Sequence, residues 1–430
     1  MRREKKPRGP ASRPPTAGSR LPAAAVPVDE TSPPGGMPTC PIVGIGASAG
    51  GLEAFTELVG ALPTDTGMAF VLVQHLDPSH ASMLTEILSR ATAMPVAEVT
   101  DHMPVVANHV YVIPPGMTLE LAGGLLRLSP RPDTKSPHHS IDQFLQSLAD
   151  DQGHRALGVI LSGSASDGTL GLEAIKAEGG ITFAQDDTAQ HRSMPRHAVA
   201  AGCVDFVLPP AEIAQEIARI SRHPYVAPSD AVENRAGDPH LSHVLDQLRI
   251  TTGVDFTHYK RNTLHRRVAR RAVLHKMDGL RDYAGFLQDN PAEVDALYQD
   301  VLISVTSFFR NPEAFEVLKS KVFPRLTRDR APHDPVRIWS LGCSTGEEAY
   351  SIAMAFLEFT SLSRPSVPLQ IFATDVNLVG VGKARAGLYP RRSRKMFRPS
   401  DSDASFPRSR ARTGSARPFG RPRCLPGTTC

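Results

Sequence analysis

Three things are scarce in this sequence, and each scarcity closes off a class of protein. Cysteine is rare: Cys40, Cys203, Cys343, Cys424 and Cys430 lie scattered without paired spacing, which argues against a disulfide framework and against a cysteine-based metal site. No uninterrupted apolar stretch approaches the roughly 20 residues that a helix needs to cross a bilayer, so membrane insertion is not expected. Aromatic residues make up 6% of the chain, with one tryptophan, and the basic stretches lack the aromatic platforms on which single-stranded nucleic acid stacks; nucleic acid is not an expected partner. What remains is a chain of 430 residues, 41% hydrophobic and 21% charged, ordinary for a soluble protein and long enough for two or three domains. The expected setting is the cytoplasm, with thiols reduced.

The formal charge of +4 is unevenly spread. Residues 1–39, rich in Pro, Arg, Ala and Gly with no apolar h-region, read as a disordered basic lead rather than a signal peptide. The stretch 391–430 is Arg, Ser, Pro and Gly with almost no aliphatic residues, again not the composition of a packed core.

Between these ends, three segments carry the first chemistry. An apolar run from Ile42 to Ala47 delivers Ser48 into Gly46-Ala47-Ser48-Ala49-Gly50-Gly51; a second, Met68 to Gln74, delivers His75; a third, Leu157 to Gly163, precedes Asp167-Gly168. Continuous apolar runs of this length read as parallel strands buried on both faces. In an open α/β sheet the reactive groups gather outside the carboxyl ends of the strands, where all three polar residues stand.

The first segment has two readings. Gly44-x-Gly46-x-x-Ala49 is a tolerable dinucleotide fingerprint, and Gly46-x-Ser48-x-Gly50 is a nucleophile elbow that exposes a serine hydroxyl. The second strand decides, because a dinucleotide site wants an acidic residue about 20 positions on and the strand ends in His75; Asp65 lies in the turn before it. The hydrolase is favoured. A serine hydroxyl needs a base to take its proton, here His75, and a carboxylate such as Asp167 to fix the imidazole tautomer. Backbone N–H groups of Ala49 and Gly50, opening the next helix, are the expected oxyanion donors, each worth about 2.7–4 kcal/mol of barrier. The other histidines show no convincing zinc spacing with further ligands, and no metal is expected.

A polar link, 223–240, then separates a half of different character. Helical periodicity resumes at Leu241, Val244, Leu245 and Leu248, and Tyr259 to Arg271 is a strongly basic helix. Such a helix is most often a solvated face, with an acidic protein surface or nucleic acid as the alternatives. Further on, the strand Val336 to Ser340 leads into Leu341-Gly342-Cys343-Ser344-Thr345-Gly346-Glu347-Glu348, and the strand Leu369 to Thr374 ends in Asp375. Here an acidic residue does stand where a ribose-binding carboxylate belongs. Gly342-x-Ser344-x-Gly346 also fits the elbow pattern, but no histidine follows, so the segment reads as a nucleoside site.

The first half resembles the catalytic domains of the chemotaxis protein-glutamate methylesterases (CheB-type). The likeness rests on Ile42 to Gly51, Val73 to Leu76 and Leu161 to Gly168, and continues through Val112-Ile113-Pro114-Pro115-Gly116, Ala184-Gln185-Asp186 and Met194-Pro195-Arg196 to Pro209. It implies a doubly wound parallel-sheet domain over 40–222 that hydrolyses glutamyl γ-methyl esters and deamidates glutamines on chemotaxis-receptor signalling domains, without a cofactor, with Ser48, His75 and Asp167 as the triad. Ser164-Ala165-Ser166 replaces the family's usual Met-Gly-Asn, placing Ser164 where an oxyanion donor is expected. A phospho-accepting receiver, which many such esterases carry in front, is not expected in the short lead.

The second half resembles the chemotaxis-receptor glutamate methyltransferases (CheR-type), through the Tyr259 to Arg271 helix, Val305-Thr306-Ser307-Phe308-Phe309-Arg310, Trp339 to Glu348, and Ala373-Thr374-Asp375 to Tyr389. It implies a small helical domain over 241–310 and a nucleoside-binding α/β domain over 311–390, with S-adenosylmethionine contacted by Thr306, Ser307, Arg310, Gly342, Glu348 and Asp375. It also implies a methyl-accepting chemotaxis receptor, or a similar signalling protein, met by Arg266, Arg267, Arg270 and Arg271. This likeness ends near Tyr389, before further strands of such a sheet, so a truncated or frameshifted transferase that binds its cofactor weakly or not at all is the expectation. The alternatives are an active methyltransferase of receptor glutamates and a non-catalytic receptor-binding scaffold.

Overall fold

The computed structural model describes residues 40–75, 83–131, 139–226, 238–302, 306–328, 330, 334–363 and 367–389. The lead 1–39, most of the link and the tail 391–430 lie outside the described residues. No described helix is long and apolar enough to cross a membrane.

The esterase-like half is built on a seven-stranded sheet. Its strands, in chain order, are β1 (Ile42–Ala47), β2 (Ala69–Gln74), β3 (Val96–Glu98), β5 (Val110–Val112), β8 (Ala156–Ile160), β9 (Ile181–Gln185) and β10 (Phe206–Leu208); β4 (Met103–Pro104), β6 (Met117–Ala122) and β7 (Leu125–Pro130) form a separate three-stranded sheet. The large sheet runs β10-β9-β8-β1-β2-β5-β3 with every pair parallel. All six residues of β1 are buried, as an apolar run covered by helices on both faces requires. From β1 the chain moves to β2 on one side and returns to β8 on the other, so the strand order reverses at β1, which is where such sheets open a crevice.

The helices of this half are α1 (Gly51–Ala61), α2 (Leu84–Ala91), α3 (Ser140–Gln152), α4 (Thr169–Glu178), α5 (Ser193–Ala200) and α6 (Pro210–Ser221). Phe55, Leu58 and Val59 of α1 and Ile213, Ile217 and Ile220 of α6 pack with Val43, Ile45 and Ala47 on one face; Ile141, Phe144, Leu145 and Leu148 of α3 cover the other with Ile42. The strand period of two turns Gly44 and Gly46 toward α3. A β-carbon at Gly44 would stand 2.6 Å from Leu145 and one at Gly46 would stand 2.3 Å from Ile141. These glycines serve the seating of a helix on the sheet.

The second half begins with α7 (Pro239–Thr252), α8 (Arg261–Leu274), α9 (Leu280–Asp289) and α10 (Pro291–Val301), packed around Leu241, Val244, Leu248, Leu264, Val268, Tyr283 and Leu297. A smaller α/β part follows, with the parallel strands β11 (Val336–Leu341) and β12 (Leu369–Thr374) and a helix over Glu347–Ser363. Among the described residues its sheet has two strands, and Trp339 and Leu341 of β11 are each 65% exposed.

Candidate active site

Ser48 follows β1 directly, and the chain is bent there by backbone contacts. Ser48 N–H donates to the Ser162 carbonyl at 2.9 Å, Gly51 N–H returns to the Ser48 carbonyl at 3.0 Å, and Gly50 takes a left-handed φ of 71° to open α1. A β-carbon at Gly50 would stand 2.6 Å from Gln190 Oε1 and 2.7 Å from Ser162 Oγ, so the turn needs glycine for both its twist and its space. Gln74 Nε2 donates to the Ser48 carbonyl at 3.2 Å.

The parallel register pairs Ala47 with Gln74, which sets Ser48 and His75 at the same level on neighbouring strands. Asp167 arrives from the other side, in the loop between β8 and α4. His75 Nε2 lies 2.8 Å from Asp167 Oδ2. The Asp167 carboxylate sits at the N-terminus of α3, accepting from Ile141 N–H at 3.1 Å and Asp142 N–H at 2.9 Å, where helix amides favour an anion. Burial pushes Asp167 up, but the bonds from His75 and from the Asp142 and Ile141 amides outweigh it and hold the carboxyl below its ordinary range. An ionised Asp167 accepts a hydrogen bond from Nε2–H of the imidazole, which leaves Nδ1 with the free lone pair.

Several supporting residues carry no catalytic signature in the sequence. Ser162 Oγ donates to the Ala49 carbonyl at 2.8 Å and accepts from His191 N–H at 2.9 Å. Gln185 accepts from Ser162 N–H at 2.9 Å, and Asp142 accepts from Gly168 and Gly171 N–H at 2.9 and 3.0 Å. Ser162 and Gln185 are signalled by strand-end position and by the Leu161 to Gly168 and Ala184-Gln185-Asp186 segments, whereas Asp142, in the first turn of α3, carries no such signal. Ser164 is exposed, and the next residue, Ala165, holds a φ of 68°. Among the described residues, His139, Asp142 and Asp167 bring ligand-type atoms within 4.8 Å of one another; both carboxylates already accept backbone amides there.

The second site is a cavity of about 870 Å³ that all six expected cofactor residues line: Thr306, Ser307, Arg310, Gly342, Glu348 and Asp375. Tyr259, from the turn before α8, and Leu302 also line it, so the helical domain helps to close it. Asp375, just beyond β12, accepts from Ser344 and Asn377 N–H, each at 2.7 Å, and Glu348 accepts from Ser340 Oγ at 3.0 Å. Gly342 holds a φ of 69° at the turn out of β11. The residues present fit S-adenosylmethionine: the volume suits a small ligand, a carboxylate ends the second strand, and Ser344 Oγ, on the cavity wall, is buried without a hydrogen-bond partner.

Of the four arginines expected to meet a receptor, two are buried. Arg270 is 0% exposed and Arg267 is 9% exposed. Arg271 pairs with Glu293 within the helical domain, and Arg266 is half-buried, its charge felt by His154 of the first half. The basic run looks solvated in sequence, but Arg267, Arg270 and Arg271 have carboxylates and carbonyls of this same chain as partners.

Comparison with known proteins agrees with this division. Residues 43–217 match the CheB methylesterases, 239–302 the all-alpha domain of the CheR methyltransferases, and 304–415 the CheR methyltransferase SAM binding domain; the last match runs past Tyr389. A Rhodobacter capsulatus protein described as an uncharacterized 104.1 kDa protein in the hypE 3' region is 35% identical over 329 residues, 71% of this chain and 34% of its own length. The protein-glutamate methylesterase/protein-glutamine glutaminase 4 of Burkholderia thailandensis is 37% identical over 201 residues, 46% of this chain and 58% of its own. The chain thus spans between a third and three fifths of these relatives. The crystal structure of the Thermotoga maritima CheB methylesterase catalytic domain is similar with a TM-score of 0.40 and 27% identity, covering 42% of this chain and 98% of that one. By its matched segments, the chain joins a CheB methylesterase domain to the all-alpha and S-adenosylmethionine-binding domains of the CheR methyltransferases.

Proposed function

We propose that the first half hydrolyses glutamyl γ-methyl esters, and deamidates glutamines, on the signalling domain of a chemotaxis receptor in the cytoplasm. The observation that carries this is the His75–Asp167 bond of 2.8 Å beside the Ser48 turn. Ser48 Oγ attacks the γ-carbonyl while its proton passes to His75 Nδ1, and Asp167 stabilises the imidazolium. The tetrahedral oxyanion is held by backbone N–H groups of Ala49 and Gly50, with the Ser164 segment as a second donor. Collapse breaks the bond to methoxide, which leaves as methanol with the proton from His75; ammonia leaves from a glutamine. Water, deprotonated by His75, then splits the acyl-serine to free glutamate and Ser48. No cofactor enters these steps. The test is methanol release from a methyl-esterified receptor fragment. The expected result is release by the native chain and a loss of at least about 10⁴-fold in Ser48→Ala; no release from a folded, receptor-binding native chain would favour the scaffold reading.

The second reading, a receptor glutamate methyltransferase, is favoured by the cavity and its six expected residues. S-adenosylmethionine would supply the methyl group there. Asp375 would hold the ribose hydroxyls, Glu348 and Arg310 the charged amino-acid end, and Tyr259 would cover the mouth. Among the described residues, the cavity walls come from the ends of β11 and β12, the 306–315 segment and the helical domain. Saturable S-adenosylmethionine binding by calorimetry, lost in Asp375→Ala, is the expected result. Absent binding would support the incomplete transferase.

A further inference from the structure

The basic helix α8 (Arg261–Leu274) presents two of its arginines, Arg267 and Arg270, to the esterase domain. Arg270 is fully buried, and each of its nitrogens has an acceptor. Nε donates to the Gly180 carbonyl at 3.0 Å, one terminal nitrogen to Asp205 at 2.5 Å, and the other to Asp300 of α10 at 3.0 Å. Gly180 and Asp205 belong to the first half and Asp300 to the second, so one guanidinium ties three elements from two domains. Asp205 is prepared for this. Its side chain is 3% exposed, accepts from the N–H and hydroxyl of Thr182 at 3.0 and 2.9 Å, and stands 3.3 Å from Lys176.

Arg267 adds a second kind of contact. It donates to the Lys176 carbonyl at 3.2 Å and to the Ala177 carbonyl. These belong to the last turn of α4, where the Lys176 carbonyl also accepts from the capping Gly179 N–H at 3.1 Å, and a cation there meets the negative end of the helix dipole. Apolar packing completes the junction: Val273 of α8 is buried in the esterase core, with Ala269 and Leu274 against it. Arg219 of α6 donates to the Val273 carbonyl at 2.8 Å, and His223 Nε2 lies 3.2 Å from the Met277 carbonyl.

The junction lies at the start of β9, which begins at Ile181, hence at the amino ends of the parallel strands. The triad lies at their carboxyl ends. The contact leaves the Ser48 crevice open and is built from different residues.

We propose that α8 is an internal docking element whose partner is the esterase domain of this chain, with Arg270 as a latch between Asp205 and Asp300, so that the esterase and the helical domain form one body and Arg267 and Arg270 are withheld from a receptor. A charge run is ordinarily a solvated face; the burial of Arg270 between two carboxylates from opposite sides of the link is what sets that reading aside.

The test uses the full chain with a specific protease site placed between Val226 and Asp238. After cleavage at 0.15 M salt, the two halves should elute together in size-exclusion chromatography. Arg270→Gln should weaken their association at least 100-fold, and Asp205→Asn, which leaves Asp300 in place, about tenfold. Should Arg270→Gln fail to fold, the double variant Asp205→Asn/Asp300→Asn carries the same test. Native halves that separate on cleavage, or variant halves that stay together with native affinity, overturn the latch. In the uncleaved native chain, a dicarbonyl reagent that labels exposed Arg261 should leave Arg267 and Arg270 unmodified by mass spectrometry. Labelling of the three at equal rates overturns the withholding of these arginines.

Discussion

At the scale of single residues, the site depends on one carboxylate whose surroundings keep it ionised. Asp167 is read from the sequence as the triad carboxylate by its place after the third apolar run, but what holds it there comes from α3, whose first-turn amides reach it. No local pattern announces that contact, because Asp167 and the helix N-terminus are 26 positions apart. His154 is the residue whose titration should be visible in stability. It is 6% exposed, its Nε2 has no hydrogen-bond partner, and burial, reinforced by Arg266 and Arg155, lowers its pKa from 6.5 to about 4. Between those values the unfolded chain binds a proton that the folded chain refuses. The stability due to neutral His154 is therefore complete above about pH 6.5 and lost as pH falls through about 4, up to about 3 kcal/mol. Urea unfolding from pH 4 to 8 should show this slope in the native chain and a flatter one in His154→Gln; equal slopes would assign the effect elsewhere.

At the scale of elements, β1 is the most legible part of the chain and α8 the least. The span Ile42–Ala47 is identical in the sequence reading and the structure, because an apolar run closed by a glycine-rich turn admits few conformations. The glycines inside it carry a meaning that the sequence leaves open. Gly44 and Gly46 fit a phosphate-binding fingerprint, but their empty side is filled by α3. Gly46→Ala would put a methyl 2.3 Å from Ile141, whose N–H holds Asp167. Overpacking of this kind costs about 1–3 kcal/mol, and the displaced amide should lower kcat about tenfold or more, about 1.4 kcal/mol of barrier, with KM nearly unchanged. Thermal unfolding and methanol-release kinetics check both. Helix α8 was legible as a helix, since Leu264, Val268 and Ala272 keep its period. Its orientation was not, since the groups that bury its charge, Gly180, Asp205 and Asp300, lie 90, 65 and 30 positions away. The cofactor cavity was more legible than that junction, because strand-end position and family likeness both pointed to the residues that line it.

At the scale of the whole molecule, the halves differ in how their sheets are covered among the described residues. The large sheet is covered on both faces, whereas β11 and β12 leave Trp339, Leu341 and Phe372 open to solvent by 65%, 65% and 37%. The single tryptophan of the chain is therefore on the transferase strand β11, 65% exposed, with its indole N–H donating to Thr374 Oγ1 at 3.1 Å. Indole fluorescence is a private optical channel for the second half, while far-UV circular dichroism records the helices of both. If the Arg270 junction couples the halves, the two signals should follow one denaturation curve in the native chain and part into two in Arg270→Gln. Distinct midpoints in the native chain would show halves that unfold independently. The position of that one indole makes cooperation between the domains measurable without any label.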